Sequence, residues 1–224
     1  MLARIFGILL LALALSQCNN YDLLDRLESP GSSTNERFAT NYYVFVSSWT
    51  TAGDMSNSPY PECSTSTGPA RADCACTRAA IQRGFRRSAS HVFRAWLSVS
   101  GVSDAKCRVQ AQGNGCATNF PAPWLNTQGQ QVVANFNDFG LGGLANPIKF
   151  DEFGVDQGPN LVWTNTGSSG TALTADCSGW TSNSAGFFGA IGNRTSGGPI
   201  WTAEVPDQAC NTAQRMYCFA SPAF

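Results

Sequence analysis

Residues 163–180 read WTNTGSSGTALTADCSGW, and residues 201–219 read WTAEVPDQACNTAQRMYCF. Large aromatics and cysteines recur there between long polar stretches. Leu161 to Asn165 and Arg215 to Phe219 carry the β-branched and aromatic residues of short strands. Between them Gly, Ser, Thr and Asn dominate, the composition of loops. A chain with this much loop relies on its large rings for buried area. That places Trp163, Trp180 and Trp201 in the core rather than in a sugar-stacking role.

Working outward, Tyr42-Tyr43-Val44-Phe45-Val46-Ser47 has the signature of another strand. A loop rich in Gly, Ser and Pro follows to about Ala70. Asp73 to Arg87 is the one convincing helix, with Ile81, Phe85 and Ala89 recurring every four residues as its buried stripe. His91 to Ser98 alternates and reads as a strand. Further short strands are expected at Gln131 to Ala134 and Pro147 to Phe150. No segment repeats another. One main helix, short strands and long loops describe an α+β domain spanning residues 42–224.

The first residues bear on the compartment. Arg4 precedes an apolar run from Ile5 to Leu15, which suits a signal peptide and falls short of the roughly 20 residues that span a bilayer. Leu15-Ser16-Gln17-Cys18 ends it with a cysteine where a bacterial lipoprotein carries its lipid. Gln17 departs from the small residue usual there, and cleavage after Ala14-Leu15-Ser16 is the rival reading. There are nine cysteines; reserving Cys18 for lipid leaves an even number that can pair completely in an oxidising compartment. The expected division is a signal peptide at 1–17, then a lipidated Cys18 with a polar tether at 18–41, broken by Pro30-Gly31-Ser32-Ser33. Membrane attachment is expected through the N-terminal lipid only. The net charge of −1 offers no general attraction to nucleic acid.

Read with Ala72-Asp73-Cys74-Ala75-Cys76 and Phe93-Arg94-Ala95-Trp96-Leu97-Ser98, the order of motifs in the tail resembles the endostatin-like domain. That domain is a variant of the C-type-lectin-like fold. The pattern looks closest to the leptospiral endostatin-like outer-surface lipoproteins, and the likeness covers about Tyr43 to Phe219. The resemblance implies that Cys76 pairs with Cys218 and Cys177 with Cys210. It also implies Cys107 with Cys116, which leaves Cys63 with Cys74. From sequence, Cys74 and Cys76 can exchange roles. The two long closures each stabilise by about 3–5 kcal/mol in the chain-entropy model. The implied function is that of a surface-exposed, non-enzymatic binder of laminin, fibronectin or complement regulators of the factor H type.

Other chemistry finds little footing in the residues. Cys74-Ala75-Cys76 lacks the gap of a zinc ligand pair, and His91, the single histidine, cannot complete a Cys/His set. Calcium-dependent lectins carry Glu-Pro-Asn or Gln-Pro-Asp followed by Trp-Asn-Asp. The nearest stretches here, Val205-Pro206-Asp207 and Trp163-Thr164-Asn165, lack those ligands. No metal or cofactor is expected. His91 heads a strand with no Gly-x-Ser-x-Gly nucleophile motif, so it reads as structural. Asp151-Glu152 and Asp156 read as a solvated acidic loop rather than a carboxylate pair for hydrolysis. Asn193-Arg194-Thr195 matches a glycosylation acceptor, which is incidental in a bacterial chain.

One charged feature stands out. Arg71, Arg78, Arg83, Arg86, Arg87 and Arg94 face a single nearby acid, Asp73. On a continuous helix Arg83, Arg86 and Arg87 lie together, opposite the apolar stripe. Such a cluster can grip sulfated glycans or acidic protein surfaces through bidentate bonds. The residues reach only an exported binding module; the resemblance implies an outer-membrane or cell-surface adhesin. The alternatives are a structural envelope lipoprotein without a host ligand and, more remotely, a secreted hydrolase.

Overall fold

The last strand organises the sheet. The computed structural model describes residues 42–85, 92–110, 116, 122–141, 143–158 and 161–221. The expected signal peptide, Cys18 and the tether lie outside these residues. The strands are β1 (Tyr42–Val46), β2 (Phe93–Ala95), β3 (Trp124–Leu125), β4 (Gln131–Val133), β5 (Leu161–Trp163), β6 (Phe188–Asn193), β7 (Glu204–Ala209) and β8 (Arg215–Ala220). They form one mixed sheet in the order β4-β3-β1-β8-β5-β6-β7. β8 is antiparallel to β1 along one edge. Its other edge is shared by β5, which runs parallel, and β2, which runs antiparallel. The main helix is α1 (Gly68–Gln82), and a shorter α2 spans Ala105–Val109. The architecture is α+β, with one main helix and four disulfides.

All six residues of β8 are buried, because both faces of the sheet are covered. Successive strand side chains point to opposite faces. Met216, Cys218 and Ala220 thus join Phe45 and the α1 alanines on one side. Tyr217 and Phe219 join Val44, Val46 and a cluster of rings on the other. In that cluster Trp96 stacks on Phe219 with ring centroids 4.9 Å apart, and Trp201 lies 5.1 Å from Trp96. The expected core tryptophans, Trp163, Trp180 and Trp201, are fully buried. The indole N–H of Trp163 donates to Thr51 O at 2.9 Å, and that of Trp180 to Ser98 O at 2.8 Å.

The helix lies five residues earlier than the periodicity predicts. Pro69 occupies its first turn, where the missing N–H costs nothing. Its end is set by Gly84, at φ +73°. Gly84 N donates to Ile81 O and Phe85 N to Ala80 O, the paired bonds of a Schellman stop that needs a left-handed residue. The helix therefore cannot run on to Arg87. Its buried face is Ala72, Ala75, Cys76, Ala79 and Ala80, small side chains that let it sit close to the sheet. Ile81, expected in the stripe, is 39% exposed. Phe85 lies past the helix and stacks on Tyr43 at 5.1 Å. Ala89 is outside the described residues.

Three strands had no sequence signal. β3 is only two residues long. β6 is interrupted by Gly189 and Gly192, and at Gly189 a Cβ would come within 2.8 Å of Cys177 Sγ and of the Trp163 ring. β7 contains a proline and is an edge of the sheet, the place where strands accept proline. The expected strand at Pro147 to Phe150 does not form; Phe150 makes only an isolated bridge with Asp156.

The outer edge of β2 is sealed by α1. Phe93 and Ala95 turn their backbone groups away from β8. Thr77 Oγ1 accepts from Phe93 N at 3.1 Å and donates to Phe93 O at 2.9 Å. Asp73 Oδ1 accepts from Ala95 N at 2.9 Å. Asp73 and Thr77 are one turn apart, a rise of about 6 Å, which matches the roughly 6.7 Å between alternate strand residues. We expect Thr77→Val, which keeps the shape and removes the hydroxyl, to leave both Phe93 backbone groups without a partner. The expected cost is about 1–3 kcal/mol, against about 0.5 kcal/mol or less for the same change at the exposed Thr181. Urea denaturation of the oxidised protein measures both.

Candidate functional site

The chemistry-bearing side chains fall into two places: the far end of α1, and the seam between α1 and β2. At the far end, Arg83 is the helix cap rather than a member of a helical triplet. Arg86 and Arg87, with which Arg83 is expected to share a face, lie outside the described residues. Arg83 is exposed, its Nε donates to Glu152 O at 3.1 Å, and its guanidinium carbon sits 4.9 Å from the centre of the Phe153 ring. The structure thus joins two features that were separate in sequence, the arginine and the acidic loop.

That loop is not solvated as expected. Asp151 and Glu152 are each only 1% exposed. Asp151 Oδ1 accepts from Phe153 N and Val155 N, both at 2.8 Å, and its second oxygen accepts from Gln157. Glu152 accepts from Ser48 N at 2.9 Å and from the Ser48 hydroxyl. Burial pushes the Glu152 carboxyl above its ordinary range and the charge of Asp151 adds to this, while the Ser48 hydrogen bonds work against it. Asp156 is the exposed member, with 40% of its side chain accessible, and it pairs with Lys149 at 2.9 Å and Arg194 at 3.2 Å. Hydrogen bonding to Lys149 leads the causes that hold its carboxyl below the usual range.

Two buried arginines complete this network, and the sequence carried no sign of them. Arg194 is fully buried inside the apparent glycosylation motif. Asn193 uses its Nδ2 on Glu204 at 3.1 Å and its Oδ1 on Thr195. Arg215, at the head of β8, donates to Ser47 O at 2.7 Å and to Gln157 Oε1 at 3.0 Å. Desolvation lowers its proton affinity, and the neighbouring Arg194 adds to that. The network ties the 147–158 loop to β6 and β8. It leaves Asp151 and Glu152 enclosed and engaged, which suits a structural role rather than acid–base chemistry on a substrate.

The second place is an open groove along α1. Asp73, Thr77 and Arg78 form one wall, Arg94 and Phe93 the other, and Ala70 and Val92 contribute apolar surface. Arg78 pairs with Glu62 at 3.0 Å. Arg94 approaches Asp73 at 3.5 Å, while Arg108 holds the same carboxylate oxygen at 2.8 Å. Arg71 turns away and donates to Ser66 O and Ser64 O. Among the described residues, Arg78 and Arg94 are the arginines that line this groove.

The remaining candidates are quickly placed. The disulfides are Cys63–Cys74, Cys76–Cys218, Cys107–Cys116 and Cys177–Cys210, the partners that the resemblance implies. His91 lies outside the described residues. Thr164 and Asn165 are buried, with Asn165 Nδ2 donating to Ser98 O at 3.3 Å. Among the described residues no group of three or more His, Cys, Asp or Glu is placed to hold a metal ion. No described helix is long and apolar enough to cross a membrane. No family model matches the chain, and no curated protein matches it closely enough to count as a relative.

The raised carboxyl of Glu152 sets a pH dependence. A group whose folded value lies above its unfolded one contributes stability that is fully present below the unfolded pKa and is lost as pH rises through the folded one. Glu152→Gln removes this component and leaves Asp156, which works in the opposite direction, in both proteins. The variant is expected to be at least as stable as the wild type at pH 7, with the difference shrinking or reversing near pH 4. Paired denaturation curves at the two pH values measure it, and a difference independent of pH contradicts it.

Proposed function

We propose that this chain is a surface-exposed bacterial lipoprotein whose domain, of the endostatin-like and C-type-lectin-like kind, acts as a non-enzymatic binding module. The ligands this reading names are laminin, fibronectin, complement regulators of the factor H type and sulfated glycans. The observation that carries it is the placement of Arg78, Arg83 and Arg94. All three guanidiniums reach the surface from elements fixed by disulfides and by the α1–β2 seam, and their present partners hold them weakly. Exposed ion pairs contribute about 0–1 kcal/mol, so an incoming acidic group can take their place at little cost. The sealed carboxylates of Asp151 and Glu152 favour binding over the hydrolase alternative. The cysteine arrangement supports export, since disulfides persist in oxidising compartments.

The test is binding of the oxidised protein to immobilised laminin, fibronectin, factor H and heparin over a range of salt. Saturable binding that weakens with salt is expected. Replacing Arg78, Arg83 and Arg94 together by Ala is expected to lower it by at least about fivefold, the loss of one anchoring contact. An absence of binding from disulfide-intact protein would move the envelope-structural alternative to first place.

A further inference from the structure

Resting on that reading of a binding module, we infer that the α1–β2 groove receives an extended acidic peptide segment of a protein partner. Its alternate carboxylates engage Arg78 and Arg94. Arg78 holds the Glu62 carboxylate at 3.0 Å, with the two side chains 47% and 43% exposed. Glu62 lies in the short helical turn Pro61–Thr65, which precedes α1 in sequence. An exposed pair of this kind is readily exchanged for another carboxylate.

Arg94 is also replaceable at its present partner. The Asp73 carboxylate it approaches at 3.5 Å is already satisfied by Ala95 N at 2.9 Å and by Arg108 at 2.8 Å. Arg94 can therefore turn to a ligand without stranding Asp73. Its Nε is buried without a partner and its side chain is 31% exposed, so a ligand approaches its terminal nitrogens. Both arginines thus show geometry suited to a carboxylate, and neither is needed by the one it holds.

The spacing points to an extended chain. Arg94 rests at Asp73, and Arg78 stands five residues further along α1, about 7.5 Å along the helix axis. Alternate residues of an extended peptide project to the same side about 6.7 Å apart. Asp73 and Arg78 also lie about 140° apart around α1, but both arginines line one groove and their long side chains span the difference, so a segment with acids at positions i and i+2 can set one carboxylate at each guanidinium. The residue between them projects the other way, and flanking apolar side chains meet Ala70 and Val92. This apolar surface suits a peptide better than a uniformly sulfated glycan.

The experiment titrates the oxidised full-length protein into a fluorescent peptide of the Asp-x-Asp type with apolar flanks. A second peptide has the same composition with its two acids adjacent, and heparin fragments serve as competitors. The Asp-x-Asp peptide is expected to bind saturably and more tightly than the adjacent-acid peptide. Arg78→Ala and Arg94→Ala are each expected to weaken it by at least about fivefold, and Arg94→Lys by less. Glu62→Gln is expected to strengthen it by freeing Arg78. Equal binding of both peptides, indifference to both Ala variants, or preferential occupation by heparin overturns the inference. Peptide binding without attachment to any matrix or complement protein overturns the broader reading and leaves this one standing. Matrix attachment unaffected by Arg78→Ala and Arg94→Ala does the reverse.

Discussion

The hold of α1 on the centre of the sheet is the constraint on which the rest depends. A three-residue strand such as β2 cannot stabilise itself, and one of its edges would otherwise present buried, unpaired backbone. Thr77 and Asp73 supply the missing partners from a helix, and Cys76 adds a covalent tie to Cys218 in β8. Because β8 is bordered by β1, β2 and β5, fixing the helix there positions both flanks of the sheet. The closure spans 142 residues, so most of the domain lies inside a single covalent loop. In the chain-entropy model such a long closure removes a large share of the freedom of the unfolded chain.

The same arrangement shapes the surface. The carboxylate of Asp73 that seals β2 also draws Arg94 and Arg108 to one place. Arg78, the residue after Thr77 and so turned about 100° away from it around α1, pairs with Glu62. The groove thus inherits a guanidinium on each wall from a structural requirement. At the cap itself, Arg83 rests on a loop whose Asp151 and Glu152 are buried while Asp156 stays exposed. That loop carries charged groups into the interior, a costly choice unless every charge finds partners. Asp151 takes three hydrogen bonds, Glu152 two, and Arg215 spans from Ser47 to Gln157. Ionic groups of this kind define a loop's conformation more than they stabilise it, because the attraction mostly offsets the loss of hydration.

Much of the frame was legible before any coordinates. Strands at Tyr42–Val46, Leu161–Trp163 and Arg215–Ala220 announce themselves by dense apolar and aromatic residues, since a strand covered on both faces has no polar side to disguise it. The tryptophans follow from the same logic. The helix was visible in kind but displaced, because the four-residue recurrence of Ile81, Phe85 and Ala89 imitates an amphipathic stripe. The true buried face is made of alanines and Cys76, which give little hydrophobic signal. Gly84 was the readable stop, and its left-handed geometry outweighs the periodicity that continues past it. Two glycines hid β6, chosen because Cys177 and Trp163 press against the backbone at Gly189.

By itself, then, the sequence determined the composition of the core, the class of fold and the presence of a disulfide-stapled, loop-rich domain. These follow from local pattern and residue chemistry. Tertiary structure alone decided which charges are free. Asp151, Glu152, Arg194 and Arg215 have the residue types of a surface, yet long-range contacts enclose them. Arg78 and Arg94 are indistinguishable in sequence from the arginines around them. They line a groove because a helix and a strand some twenty residues apart are brought together by Thr77 and Asp73. Burial and pairing are properties of neighbours in space, and sequence spacing reports only neighbours along the chain.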